Sequence, residues 1–198
     1  MPLGAFKAAL MGTAGATAAG DVVLLYDTDH SNVASVDISS NITSTYGEYI
    51  FKFYNLNPAT DAAQFQFQVN ATDDPGGDYD VSLITSTYFV ANHSEADVTG
   101  FDYSTSADKA QAATFQQLSE GLGNGADESS VGELHLFNPA STTYVKHFYA
   151  TMNIYGLSDY TQEIFVTGYI NDTTAIDDIR FKMSSGNFDG TIKMWGVK

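Results

Sequence analysis

The chain contains no cysteine among its 198 residues, so it has neither a disulfide framework nor a thiolate metal site. Positive charge is nearly as scarce, with eight Lys and Arg against 24 Asp and Glu, a formal net charge of −16. Phosphate binding needs a clustered positive surface that releases counterions, so nucleic acid is excluded as a partner, and an anionic membrane surface is disfavoured for the same reason. No apolar run approaches the roughly 18 residues of a membrane span. The Gly-x-Ser-x-Gly and His-Glu-x-x-His signatures of hydrolases are absent, as are heptads and shaft-forming repeats. The glycine-rich Gly121–Gly125 follows a predicted helix instead of opening one, so it is no phosphate cradle. Nothing points to an enzyme.

What is present reads as β-structure. Twelve Tyr and thirteen Phe favour strands, and charged residues make up only 16% of the chain, so Ser, Thr, Asn, Gln and Gly must supply most of the surface. Val22–Tyr26 is an apolar run, and further strand signals, several of them alternating with period two, follow over Val33–Ile38, Tyr46–Asn55, Phe65–Val69, Tyr79–Val90, Gly132–Asn138, Thr143–Met152 and Glu163–Ile170. The exception is Ala107–Leu118, where Ala107, Ala110, Thr114, Phe115 and Leu118 share a helical stripe, Ser106 can cap it and Gly121 can end it. The expected fold is all-β: one antiparallel two-sheet β-sandwich of jelly-roll or concanavalin-like type over residues 21–198, with one short helix as a lid and an N-terminal arm over 1–20.

Two features refine this. Gly47-Glu48 opens a strand that ends at Asn57-Pro58-Ala59, and Gly132-Glu133 opens one that ends at Asn138-Pro139-Ala140, each followed by an aromatic strand. The pattern predicts two equivalent hairpins. The closing stretch, Ile176–Lys198, alternates on both sides of Ser184-Ser185-Gly186-Asn187, which predicts a terminal hairpin whose second strand lies inside a sheet. From Arg180 to Lys198 it is also the one basic part of the molecule, with Arg180, Lys182, Lys193 and Lys198 against the single acid Asp189. In so acidic a chain these four are the natural subunit interface, meeting acidic loops of a neighbouring copy.

The candidate sites are few. Asp73, Asp74, Asp78 and Asp80 surround a Pro-Gly-Gly bend and offer the hard oxygen ligands of calcium, although without the spacing of an EF-hand, and Asp, Pro and Gly are also what a plain solvated turn uses. No other cofactor is implied. His135 and His147 fall on neighbouring strands, but two histidines without a third ligand make a poor zinc site. Tyr144, Tyr155, Tyr160 and Trp195 are aromatics available for glycan stacking or for a subunit interface. In residues 1–20, Leu3, Phe6, Leu10 and Met11 share one helical face. Lys7 interrupts the apolar stretch and no basic residue precedes it, so an assembly arm is expected here rather than a secretory signal.

The opening MPLGAFKAALMG, the middle GELHLFNPASTTYVKHFYAT and the closing FKMSSGNFDGTIKMWGVK together resemble a family of small virion proteins from marine bacteriophages of the cyanophage and pelagiphage type. The resemblance implies a structural protein on the virion exterior, with no catalytic residues to carry over. The expected partners are further copies of the chain, as a homo-oligomer and most simply a trimer, and a capsid or other virion protein held by the arm. Capsid decoration is favoured over a tail fibre because no length-building repeat is present. The alternative is a tail-fibre or receptor-binding tip that recognises host-surface glycan.

Overall fold

The computed structural model describes residues 21–74, 77 and 79–198; the arm expected over residues 1–20, with Leu3, Phe6, Leu10 and Met11, lies outside them. Thirteen strands follow in order: β1 (Val22–Val33), β2 (Ser35–Ile38), β3 (Glu48–Pro58), β4 (Phe65–Ala71), β5 (Ile84–Ser94), β6 (Thr99–Tyr103), β7 (Lys109–Ala112), β8 (Gln116–Gln117), β9 (Ser130–Phe137), β10 (Lys146–Gly156), β11 (Tyr160–Ile170), β12 (Ile176–Met183) and β13 (Phe188–Val197). They form two antiparallel sheets. The larger has nine strands in the order β1-β13-β3-β9-β10-β11-β5-β6, with β7 also on β5, and the smaller runs β2-β12-β4-β8. This is the expected all-β sandwich.

Strand alternation supplies the core. In β10, Phe148, Ala150, Met152 and Ile154 face inward while His147, Tyr149, Thr151 and Asn153 face outward. Between the sheets a run of phenylalanines interlocks: Phe53 of β3 meets Phe65 of β4 and Phe181 of β12 with ring centroids 5.0 and 5.2 Å apart, and Phe65 also meets Phe188 at 5.8 Å. Such pairs contribute roughly 0.5–1.5 kcal/mol each beyond the area they bury.

Two of the predicted hairpins are not hairpins. β3 lies in the larger sheet and β4 in the smaller one, and β12 and β13 divide in the same way. Only the second Asn-Pro-Ala unit behaves as expected, β9 pairing with β10. The stretch 176–197 is one strand path that changes sheet at Ser184–Asn187, and 22–38 does the same beside it, β1 pairing with β13 and β2 with β12. The crossings share a corner. The amide of Ala59 donates to Asn187 O (2.8 Å), that of Ser184 to Gln64 O (2.8 Å), and the Asn187 amide group donates to Asn32 O (3.0 Å). Gly186, at φ +69°, sits so close to Thr60 that no side chain fits. The expected position of β13 inside a sheet is met, since it runs between β1 and β3.

The predicted helix over Ala107–Leu118 is also replaced by strands. Lys109–Ala112 pairs with β5, Gln116 and Gln117 pair with β4, and Gln111 adopts φ +51°, which no helix allows. Helix propensity is worth only tenths of a kcal/mol per residue. Here Gln116 is fully buried, accepting from Ser86 Oγ (2.6 Å) and donating to Ala107 O (3.1 Å), and these bonds outweigh it.

Candidate functional site

A surface cleft opens at one end of the larger sheet, where the segment before β3 faces the β9–β10 loop. A cleft of about 690 Å³ is lined there by Ser44, Tyr46, Phe137, Asn138, Tyr144 and His147, among others. Its shape follows from local chemistry. Asn138 takes a left-handed backbone (φ +46°) and its amide donates to Gly47 O at 2.7 Å, which pins the β9–β10 loop to the start of β3. Ser141 Oγ then accepts from the amides of Thr143 and Tyr144 at 3.2 and 3.1 Å. That turn presents the Tyr144 ring 74% exposed at the cleft mouth. An exposed ring beside amide and hydroxyl groups is an arrangement suited to a flat polyhydroxylated ligand.

From the cleft, the outward face of the larger sheet carries ordered rows of side chains. One row runs Leu24, Trp195, Ile50, His135, Tyr149 across β1, β13, β3, β9 and β10. A second runs Asp27, Lys193, Lys52, Glu133, Thr151, Phe165, Phe89, Tyr103, passing from ion pairs on the β1 side to bare aromatics on the β6 side. On the ionic side Lys193 meets Asp27 at 3.0 Å and Lys52 meets Glu133 at 3.2 Å. His135 stands between Glu48 (Nδ1 to Oε1, 2.5 Å) and Glu133 (Nε2 to Oε1, 3.3 Å) and stacks on Tyr149 at 4.3 Å. Burial pushes the Glu133 carboxyl up, but His135 and Lys52 outweigh that and hold it below its ordinary value. On the aromatic side Phe89 stacks on Phe101 and meets Tyr103 edge-on. Phe101 is 75% exposed and every residue of β6 is exposed.

The predicted acidic turn is only partly assembled. Asp73 and Asp74 come together with Asp172, which the sequence reading did not include, their carboxylates lying within 4.8 Å of one another. Asp80 is exposed and lines a separate shallow groove with Tyr79 and Lys182, and Asp78 lies outside the described residues. One oxygen of each carboxylate in the triad already has a donor. Asp74 accepts from the Ala71 amide and Ser82 Oγ, Asp172 from the Thr174 amide, and Asp73 from Thr174 Oγ1. Beneath them the ammonium of Lys146, whose side chain is fully buried, donates to the carbonyls of Asp172 and Thr174. Burial lowers its pKa, against the attraction of Asp172 and Asp73.

Three of the four basic residues expected at a subunit interface are engaged within the chain. Arg180 binds Asp37 through two bonds of 2.6 Å and lies over the Tyr79 ring at 4.3 Å. Lys182 caps the Phe115 ring at 4.3 Å, and Lys193 pairs with Asp27. Lys198 is exposed, with its backbone amide on Asp21 O (2.9 Å). The four candidate glycan aromatics are dispersed. Tyr144 flanks the cleft, and Trp195 stands between Leu24 and Ile50 on the outer face. Tyr155 and Tyr160 lie at the opposite end of β10–β11, where the Tyr155 hydroxyl donates to Asp159 at 3.1 Å. Sequence reasoning did not single out Phe137, Asn138 or Phe101, because their exposure depends on which strands become neighbours.

No known protein family, curated protein or solved structure matches the chain.

Proposed function

We propose that the chain is a structural protein of a bacteriophage particle, displayed on its exterior as a homo-oligomer and held to the capsid or another virion protein by residues 1–20. The observation that carries this reading is the outer face of the larger sheet. Phe101, Tyr103, Phe165, Val131 and Leu24 stand more than 40% exposed there, on a face that no described element covers. Exposed apolar patches of this kind mark interaction surfaces, and an assembled particle is a setting that covers them. The acidic balance and the resemblance of the chain's opening, middle and closing segments to virion proteins support the same reading.

Deletion of residues 2–20 tests it. The expected result is a folded domain, with unchanged melting, that no longer joins particles; co-purification of the truncated chain with virions overturns the arm as the anchor. Density for the chain in an electron-microscopy map of the whole particle would place it on head or tail.

A second reading, a tail-fibre or receptor-binding tip, is favoured by the cleft beside Tyr144. On a glycan array the tip reading predicts binding that Tyr144→Ala reduces at least tenfold, whereas a decoration protein binds nothing there.

A further inference from the structure

The two edges of the larger sheet are finished differently. β1 is blunted: irregularities between Leu24 and Tyr26 and between His30 and Val33 break its pairing with β13, and Asp27 and Asp29 stand exposed along it. The Asn41 side-chain amide also donates to Leu25 O at 3.4 Å. Bulges and charges of this kind keep sheet edges from pairing with other chains. β6, at the opposite edge, has none of these devices. It pairs with β5 without a break, from Tyr103 with Phe89 to Thr99 with His93, and no described strand covers its far side. All five of its residues are exposed, and Asp102 is its one charge.

The backbone of β6 decides what can be added to it. In an antiparallel pair, residues that exchange hydrogen bonds with the neighbour alternate with residues whose N–H and C=O point away from it. The Ser104 amide donates to Tyr88 O and the Ser94 amide to Val98 O, both at 2.9 Å, so the even-numbered residues of β6 are those that bond to β5. Thr99, Phe101 and Tyr103 therefore turn their amides and carbonyls towards solvent. Their side chains are also the ones on the outer face of the sheet, where Phe101 stacks on Phe89 at 6.2 Å and Tyr103 meets Phe89 edge-on at 5.2 Å.

We infer that the occupant of this edge is β6 of a second copy, related to the first by a two-fold axis at Phe101. Antiparallel pairing about that point sets Phe101 against its own counterpart and Thr99 against Tyr103, so each free amide meets a free carbonyl. Moving the axis to Gly100 or Asp102 leaves one of the three residues without a partner. The same register joins the two aromatic clusters into one stripe, and it sets each Asp102 opposite a Gly100 instead of the other Asp102. The bulged, acidic β1 is no substitute partner. Charge selects the site as well: at a net charge of −16 two copies repel over most of their surface, whereas Thr99, Phe101 and Tyr103 carry no charge. The inference rests on the homo-oligomer reading above and names its contact.

The test uses the full chain. Sedimentation in about 1 M NaCl, where charge reaches only about 3 Å, should show dimers that weaken as salt is lowered. Thr99→Pro removes an amide that the single chain does not use, so it should melt with the parent. Each dimer loses two hydrogen bonds, so its dissociation constant should rise about tenfold or more. Phe101→Cys introduces the chain's first thiol. In the pairing the two Cα atoms at this position lie about 5.5 Å apart, within disulfide reach, so mild oxidation should cross-link this variant well ahead of Leu24→Cys on the same outer face. If Thr99→Pro melts early, the cross-linking comparison decides alone. A parent chain that stays monomeric in high salt, equal cross-linking of the two thiols, or a stably folded Thr99→Pro with the parent's dissociation constant would each overturn the pairing. The virion reading fails separately: a monomer that still joins particles sinks the pairing alone, and a β6-linked dimer that never joins them upholds the pairing without it.

Discussion

The larger sheet uses phenylalanine in two opposite ways. On its inner face Phe51, Phe53 and Phe148 are at most 2% exposed and interlock with Phe65, Phe67 and Phe181 of the smaller sheet. On its outer face Phe89, Phe101 and Phe165 hold rings of the same size against each other and against solvent. The inner rings lose contact with water on folding and supply the stability of the sandwich. The outer rings gain little from folding and keep their apolar area for another surface. A single residue type therefore reports nothing about role until its face is known.

Breaking the inner set should have the largest effect. Phe181→Ala leaves a cavity bordered by Phe51, Phe53 and Phe65, and should cost about 3–5 kcal/mol in urea unfolding. Next comes Tyr49, an inner residue whose hydroxyl accepts from the Thr43 amide (2.6 Å) and donates to Thr43 O (2.8 Å). Tyr49→Phe keeps the ring and leaves both backbone groups short of a partner, so a loss of about 1–2 kcal/mol is expected by the same measurement.

Glu120 sharpens the comparison from the half-buried region between the two faces. Its folded-state pKa is raised by burial above the reference value of 4.5, so the folded chain holds this proton more tightly than the unfolded chain. Its contribution to stability is fully present below that reference value and is lost as pH rises through the raised one. Glu120→Gln should therefore be modestly more stable than the parent at neutral pH, and the gap should close as pH falls towards 4.5. Denaturant melts across that range give the answer, and a gap that widens on acidification would contradict the burial argument. The smallest effect belongs to the outer set. Phe101→Ser should change folding stability by no more than about 0.5 kcal/mol while raising solubility and weakening self-association in sedimentation.

Much of this contrast was legible in the sequence and some of it could not be. Period-two alternation located β3, β10 and β11 to within a few residues, because one wet and one dry face impose it on such strands. It could not assign strands to sheets. Both inner faces of a sandwich demand the same alternation, so β3 and β4, or β12 and β13, read as hairpins although their partners lie elsewhere. The helical stripe over Ala107–Leu118 failed because its Ala and Gln residues pack equally well as short strands over β5 and β4. The candidate sites fared similarly. Asp73 and Asp74 could be picked out from local composition, whereas Asp172 joins them from about a hundred residues away.

The corner where the chain changes sheets also bears on how the protein is made. Val22 pairs with Val197, and β13 fills the gap between β1 and β3. Until residues 188–197 are in place, β1 has no neighbour and β3 keeps an open edge, so a partly folded chain holds unsatisfied strand edges. Pairing at that sequence separation is slow to find. β13 therefore closes the larger sheet, and a chain truncated before Phe188 should aggregate rather than fold.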